Sequence, residues 1–224
     1  MFKRTLTQSD IFLIVANLLP VFGVWFWNWN PMTVFIVYCL ETIIIGFFNL
    51  LKMGIATAYR KTDIWYNGNY QARVSGIFFM LFFLVHYGMF VAIQMGLFFA
   101  VSGLADQFNI GFFSFFFKWP QLIGSDAYIM IGAFVLSYGY KTVSEFLLTG
   151  QYRRVPLGIL MFQPYMRIFV QQVTVILGSM FLAFGAGKIF ILVFALVKIV
   201  FEVYVNYEGL MNKAIVQLKR QSGK

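Results

Sequence analysis

Residues 74–101 read VSGIFFMLFFLVHYGMFVAIQMGLFFAV, a run that contains no Asp, Glu, Lys or Arg. A helix that spans a bilayer needs about 20 mostly apolar residues, so this run is long enough to cross a membrane. Five further runs meet the same criterion, and the six predicted spans are 11–29, 32–51, 74–101, 127–148, 168–184 and 189–207. We therefore predict an all-α fold, a polytopic transmembrane bundle of six helices that forms a single domain over residues 1–224.

The composition of the whole chain also indicates an integral membrane protein. The 224 residues are 61% hydrophobic and 11% charged, whereas soluble domains are about half apolar and a quarter charged. One soluble core of this size could not hide so much apolar surface, which excludes an ordinary soluble enzyme, a disordered chain and a small secreted scaffold. The short loops leave no room for a second soluble domain.

The basic residues lie mainly on one side of the predicted spans. Fourteen of the 17 Lys and Arg residues lie at the two termini and around the loops after spans two and four, whereas Lys118 and Lys188 lie on the opposite side. The positive-inside rule then predicts a protein of the cytoplasmic (inner) membrane with both termini in the cytoplasm. This asymmetry accounts for the net charge of +9, so the predicted partner is the lipid bilayer and not nucleic acid.

Ionisable residues at mid-depth indicate a polar site. Glu41 lies about 14 Å below the outer end of span two and His86 about 18 Å above the inner end of span three. In a hydrocarbon core of about 30 Å these depths nearly coincide, and Lys198 lies near the same level. An isolated carboxylate there must be protonated, paired or hydrated, so we predict that Glu41 is close to His86 or Lys198.

Further polar residues complete the candidate site. On spans four and six, Lys141 with Glu145 and Lys198 with Glu202 have the i, i+4 spacing at which side chains can pair. Paired helices of this kind can also be purely structural, and interhelical hydrogen bonding is the ordinary role of Gln and Asn in spans. The predicted binding residues are Glu41, Asn49, His86, Gln94, Gln172, Lys198 and Glu202.

Metal and cofactor chemistry is restricted by the residue counts. The chain has one His and one Cys, Cys39, which excludes an all-nitrogen or thiolate metal site within one chain. A carboxylate-rich site using His86, Glu41 and Glu202 stays open. The sequence contains no H-E-x-x-H, P-loop or dinucleotide-binding motif, and we predict no cofactor.

Small residues on span three predict close helix packing. Gly88, Ala92, Gly96 and Ala100 recur every four residues, and such a stripe lets a second helix approach closely. His86 lies about 200° away around the same helix. We therefore expect span three to be used on two faces and to lie centrally in the bundle.

Two stretches carry a family resemblance. They are ETIIIGFFNLLKM at residues 41–53 and FFLVHYGMF at residues 82–90, supported by PYMRI at 164–168 and by Lys198 with an acid four residues later. The chain resembles an uncharacterised family of prokaryotic multipass membrane proteins, a domain of unknown function. The resemblance implies histidines where this chain has Gln94, Gln172 and Asn206. Because amides are poor transition-metal ligands, it argues against metal binding here.

Three functions remain open from the sequence. The first is transport or permeation of a small solute or an ion such as the proton, with Glu41, His86 and Lys198 lining a mid-membrane site. The second is a binding or assembly subunit, as a homo-oligomer or with a partner membrane subunit, whose polar groups only fix helix packing. The third is an intramembrane enzyme or cofactor binder. Because the loops are short, we expect a role other than catalysis.

Overall fold

The computed structural model describes residues 6–67, 70–102, 111–165, 167–170, 172–173, 177, 181 and 184–201. This part of the chain is mostly helical. Its elements, in chain order, are α1 Gln8–Phe26, α2 Pro31–Arg60, β1 Thr62–Asn67, β2 Tyr70–Ser75, α3 Gly76–Ser102, α4 Phe112–Leu122, α5 Ser125–Lys141, a π-helix Thr142–Leu147, a 3-10 helix Gln151–Arg153, α6 Leu157–Phe162 and α7 Gly187–Ile199.

Local signals explain where the first two helices begin. The Thr7 side chain accepts a hydrogen bond from the Asp10 amide, and the Asp10 carboxylate accepts one from the Thr7 amide, which is a capping box. The Asn30 side chain caps α2 at 2.8 Å from the Met32 amide, and Pro31 takes the first helical position, where a missing N–H costs nothing. Helix α2 therefore begins one residue before the second predicted span, 32–51.

Within the described residues, three helices are long and apolar enough to cross a membrane, namely α1, α2 and α3. They overlap the first three predicted spans, although α2 extends nine residues further than residue 51. The fourth predicted span corresponds to α5 and the π-helix that follows it. The fifth and sixth spans lie only partly within the described residues, and α7 covers the first part of the sixth.

A two-stranded antiparallel hairpin joins α2 to α3, which the all-α prediction did not include. Its register pairs Thr62 with Ser75 and Asn67 with Tyr70. The hairpin is tied to the helices by Asp63, whose carboxylate accepts a 2.8 Å bond from the Ile64 amide and a 2.7 Å bond from the Leu157 amide. Arg60 pairs with the same carboxylate at 3.3 Å. We call this end of the bundle the hairpin end.

Helix α2 is the central helix of the described bundle, because α3, α5, α6 and α7 all pack against it. Two-thirds of its most apolar segment (67%) is buried, compared with 22% for α3. The expectation of a central span three is therefore wrong for the described part of the chain. Gly88, Ala92 and Ala100 are exposed there, and α3 packs through Phe79, Phe83 and Met95 instead.

Aromatic side chains fill the core between α1, α2, α5 and α7. Phe35, Tyr38, Phe134 and Phe194 are almost fully buried. Tyr38 meets the Phe194 ring edge-on with a centroid separation of 4.4 Å, a favoured geometry for aromatic pairs. This core surrounds the middle of α2, and the candidate site lies within it.

Candidate functional site

Glu41 lies in the first half of α2 and is fully buried, with 0% exposure. Its carboxylate forms an ion pair with the Lys198 ammonium of α7. The Tyr138 hydroxyl of α5 donates a 2.8 Å hydrogen bond to the other carboxylate oxygen. The predicted proximity of Glu41 to Lys198 is confirmed, and three helices meet at this carboxylate.

Three aromatic rings surround the Lys198 ammonium. Its nitrogen lies 4.8 Å from the Phe134 ring centre, 5.2 Å from that of Tyr38 and 6.0 Å from that of Phe194. Ring faces carry partial negative charge and attract a cation. Moving both charges from water into the protein interior costs free energy. The Glu41 carboxylate, the Tyr138 hydroxyl and the three rings together offset the hydration that Glu41 and Lys198 lose.

A narrow pocket reaches Tyr138 from the hairpin end, and we call it the inner pocket. It has about 30 Å³ of water-accessible space, which is room for about two water molecules. Its polar lining consists of Asn49, Lys52, Tyr138, Lys141, Thr142, Gln163 and Arg167. Tyr138 thus contacts both the pocket and Glu41, so one hydrogen bond separates this space from the buried ion pair.

A larger cavity adjoins the inner pocket, and we call it the basic cavity. Its accessible space is about 230 Å³. The two share Lys52, Lys141 and Gln163 as walls. The polar lining of the basic cavity consists of Lys52, Lys141, Glu145, Gln151, Arg154 and Gln163. Among the described lining residues of both spaces, Lys and Arg therefore outnumber Asp and Glu.

A π-helix forms one wall of these spaces. It covers Thr142–Leu147 directly after α5. Short π segments are rare in proteins, and those that occur are often found at functional sites. Glu145 in this segment pairs with Lys141 at 3.7 Å, which confirms the predicted i, i+4 contact. Ser9 of α1 donates a hydrogen bond to the same carboxylate. The segment therefore connects α1 to the cavity wall.

Two cations of the walls rest on aromatic rings. The Arg167 guanidinium lies 5.8 Å from the Tyr138 ring centre, and the Lys52 ammonium lies 5.8 Å from that of Phe146. Such contacts orient a long side chain without neutralising its charge. Arg167 therefore lies beside the tyrosine that binds Glu41, and both side chains line the inner pocket.

His86 belongs to a different cluster from Glu41. Its Nδ1 lies 2.7 Å from the Tyr165 hydroxyl, and its ring stacks on Phe82 and meets Phe90 edge-on, both with centroids 5.2 Å apart. Of the two predicted partners of Glu41, the structure therefore places Lys198, and not His86, at the carboxylate. His86 is partly exposed on α3 and has a hydrogen-bonded partner of its own.

The remaining candidate residues lie apart from the ion pair or outside the described chain. Asn49 donates a 2.8 Å bond to the Leu160 carbonyl and lines the inner pocket. The Gln94 carbonyl oxygen accepts a 3.3 Å bond from Thr42, while its buried amide nitrogen has no hydrogen-bond partner among the described residues. Gln172 is partly buried and takes part in neither pocket. Glu202 lies outside the described residues.

Comparison with known proteins places the chain in a family without assigning an activity. The family model that matches is described as a family of unknown function (DUF6498), and it matches residues 1–222. The chain belongs to the DUF6498 family. The resemblance to an uncharacterised family is confirmed. No curated protein and no solved structure matches the chain.

For this DUF6498 member, a metal centre has no support within the described residues. There, no group of three His, Cys, Asp or Glu side chains is placed to hold a metal ion. Of the three open metal candidates, Glu41 and His86 bind different partners. The third, Glu202, lies outside the described residues.

Sequence reasoning missed Tyr138 and Arg167 as site residues. Tyr138 precedes Lys141 by three positions, so both share one helix face, and that spacing could have identified it. Arg167, which lies in the PYMRI stretch, was counted with Lys52 and Arg154 among the basic residues on one side, but none of the three was predicted as a site residue. Their convergence on a cavity depends on how α2, α5 and α6 pack, which no single stretch encodes.

Proposed function

We propose that this protein spans the inner membrane six times with both termini in the cytoplasm and transports a small anionic solute. The hairpin end then faces the cytoplasm, where most Lys and Arg residues of the chain lie. The observation that carries the proposal is the double contact of Tyr138, which lines the inner pocket and donates to Glu41. Ionisable side chains held at membrane depth commonly mark ion and substrate pathways.

The Glu41–Lys198 pair serves as the gate in this proposal. While Glu41 is ionised, it neutralises Lys198 and leaves no net charge to attract an anion. Protonation of Glu41 removes that neutralisation, and the Lys198 ammonium then becomes a binding group for an anion from the inner pocket. Proton uptake by Glu41 and anion binding by Lys198 are thereby coupled.

Flux measurements on reconstituted protein test this function. Full-length protein is placed in liposomes loaded with a pH dye, and an acidic outer buffer supplies chloride, sulfate or phosphate. We expect at least one anion to accelerate internal acidification, and we expect Glu41→Gln to abolish that acceleration. Asp126→Asn, a carboxylate at the start of α5, is the matched control. Acidification independent of every anion, or unchanged in Glu41→Gln, contradicts the proposal.

A second candidate, an assembly subunit, is favoured by one surface. An apolar groove between α2 and α3 is lined by residues that include the exposed Phe47 and Leu84 and by Gly88. Close approach of a helix from a second copy or a partner subunit would fit the small residues along α3. Chemical crosslinking in lipid tests this role, because Gly88→Leu should abolish any crosslinked oligomer, whereas Leu136→Ala, exposed on α5, should not.

A further inference from the structure

The basic cavity and the inner pocket bring four cationic side chains together at the hairpin end. Lys52, Lys141 and Arg154 line the cavity, and Arg167 lines the adjoining pocket. Glu145 is the one acidic side chain among the described lining residues, and Lys141 already pairs with it at 3.7 Å. Like charges gathered in a space of low polarity repel one another, so these walls favour an anion of more than one charge.

We propose that these walls bind a phosphoryl group, either as free phosphate or phosphate ester or as the headgroup of an anionic lipid. A phosphate monoester carries a charge of about −1.5 to −2 near pH 7 and presents three acceptor oxygens. Arg guanidinium groups match phosphate oxygens in pairs, while Lys ammonium groups act as point charges. Two arginines and two lysines therefore supply both kinds of contact.

The size of the space limits what the phosphoryl group is attached to. Its volume of about 230 Å³ lies below the range of about 300–1,000 Å³ that is usual for drug-sized ligands. The volume therefore suits a phosphate or a lipid headgroup better than a larger phosphorylated ligand. The lining of the cavity also includes the apolar residues Phe146, Ile159 and Leu160, which suits the glycerol end of a headgroup. Basic pockets between helices at a cytoplasmic interface recognise such headgroups.

Neutral aromatic and amide groups keep the cations in place. Lys52 lies over Phe146 and Arg167 over Tyr138. Gln163 lines both spaces. A phosphoryl group held in the basic cavity lies beside the inner pocket, which Tyr138 lines and which shares Lys52, Lys141 and Gln163 with the cavity. The inference deepens the proposed transport function by naming the class of its ligand.

Binding is tested without any transport measurement, using full-length protein in phosphatidylcholine nanodiscs. Inorganic phosphate and dihexanoyl phosphatidic acid are titrated separately at constant ionic strength, with chloride as the reference anion, and affinity is followed calorimetrically. Arg154→Gln, at an exposed position, and Arg167→Gln should each weaken binding at least about ten-fold, the effect expected for one charge-assisted hydrogen bond. Lys188→Gln removes the same charge from an exposed site at the opposite end and should leave affinity unchanged.

Each outcome bears on the proposal. Binding of both probes supports a phosphoryl site open to solutes, and binding of phosphatidic acid alone supports a headgroup site. Binding of neither probe, or equal loss in Lys188→Gln, overturns it. Chloride-driven flux without phosphate binding would leave the transport function standing and remove the phosphoryl assignment. Phosphate binding without any anion flux would leave the phosphoryl site standing and remove the transport function.

Discussion

The Tyr138 hydroxyl donates a 2.8 Å hydrogen bond to Glu41, a carboxylate that lies 97 residues earlier in the chain and is fully buried. The same tyrosine lines the inner pocket and carries Arg167 over its ring. Tyr138 therefore connects the buried ion pair to the cationic spaces at the hairpin end.

Breaking the ion pair from one side should destabilise the protein. Lys198→Met leaves the Glu41 carboxylate buried without its cation, and removal of one partner of a buried pair costs about 3–5 kcal/mol. The double variant Glu41→Gln with Lys198→Met leaves no charge and should recover most of that loss. Thermal unfolding of the single and double variants measures the coupling. Additive losses would show that the two side chains do not interact.

Loss of the Tyr138 hydroxyl should weaken the site while leaving the ring in place. Tyr138→Phe removes a hydrogen bond to a charged group, which is worth about 1.5–3 kcal/mol. The matched control is Tyr140→Phe, two positions along α5, because its hydroxyl donates to Gln8 at the exposed surface. We expect the control to change stability by less than about 0.5 kcal/mol. Equal shifts of the melting temperature would argue against a special role for Tyr138.

Two glycines on neighbouring helices should respond oppositely to alanine. A Cβ on Gly46 would lie 2.4 Å from the Tyr87 ring, and the Tyr87 hydroxyl is held by a 2.8 Å bond to the Thr42 carbonyl. Gly46→Ala should therefore destabilise by about 1–3 kcal/mol. Gly88→Ala meets no described atom within 4 Å and should be neutral or stabilising by up to about 1 kcal/mol. A reversed order of melting temperatures would mean that α2 and α3 pack differently.

The proposed topology predicts which side of the membrane labels reach. In a Cys39→Ala background, cysteines at the exposed positions Arg73 and Arg153 should react with an impermeant thiol reagent only from the cytoplasmic side. Cysteines at Lys118 and Lys188 should react only from the opposite side. Reaction of Arg153→Cys and Lys188→Cys from the same side would refute the six-span arrangement.

Much of the architecture is encoded locally and could be predicted. Apolar runs mark α1, α2 and α3, and Pro31 marks the start of α2. The hairpin was missed because the strands are short and lie between long apolar runs, although the Asn-Gly sequence at 67–68 is a strong hairpin signal. The central position of α2 could not be predicted from small residues on α3, because a stripe shows where a helix could approach and not whether one does.

The ion pair could be anticipated, whereas the cavity could not. The predicted depth of a residue follows from its distance along the sequence from the end of its span. Glu41 and Lys198 have similar predicted depths, so their pairing could be predicted on that ground. His86 has a similar predicted depth, but in the structure its side chain contacts Tyr165. Depth alone could not decide whether His86 or Lys198 is the partner of Glu41. The convergence of Lys52, Lys141, Arg154 and Arg167 depends on the π-helix and on the placement of α6, which are properties of the folded bundle.

An experimental density map of the protein in a lipid nanodisc tests the central claim most directly. The account predicts that the Glu41 carboxylate contacts Lys198 and Tyr138, and that density for water or a bound anion lies beside Tyr138 within the inner pocket. A Glu41 side chain that faces lipid, or a Tyr138 sealed from any solvent-filled space, would contradict it.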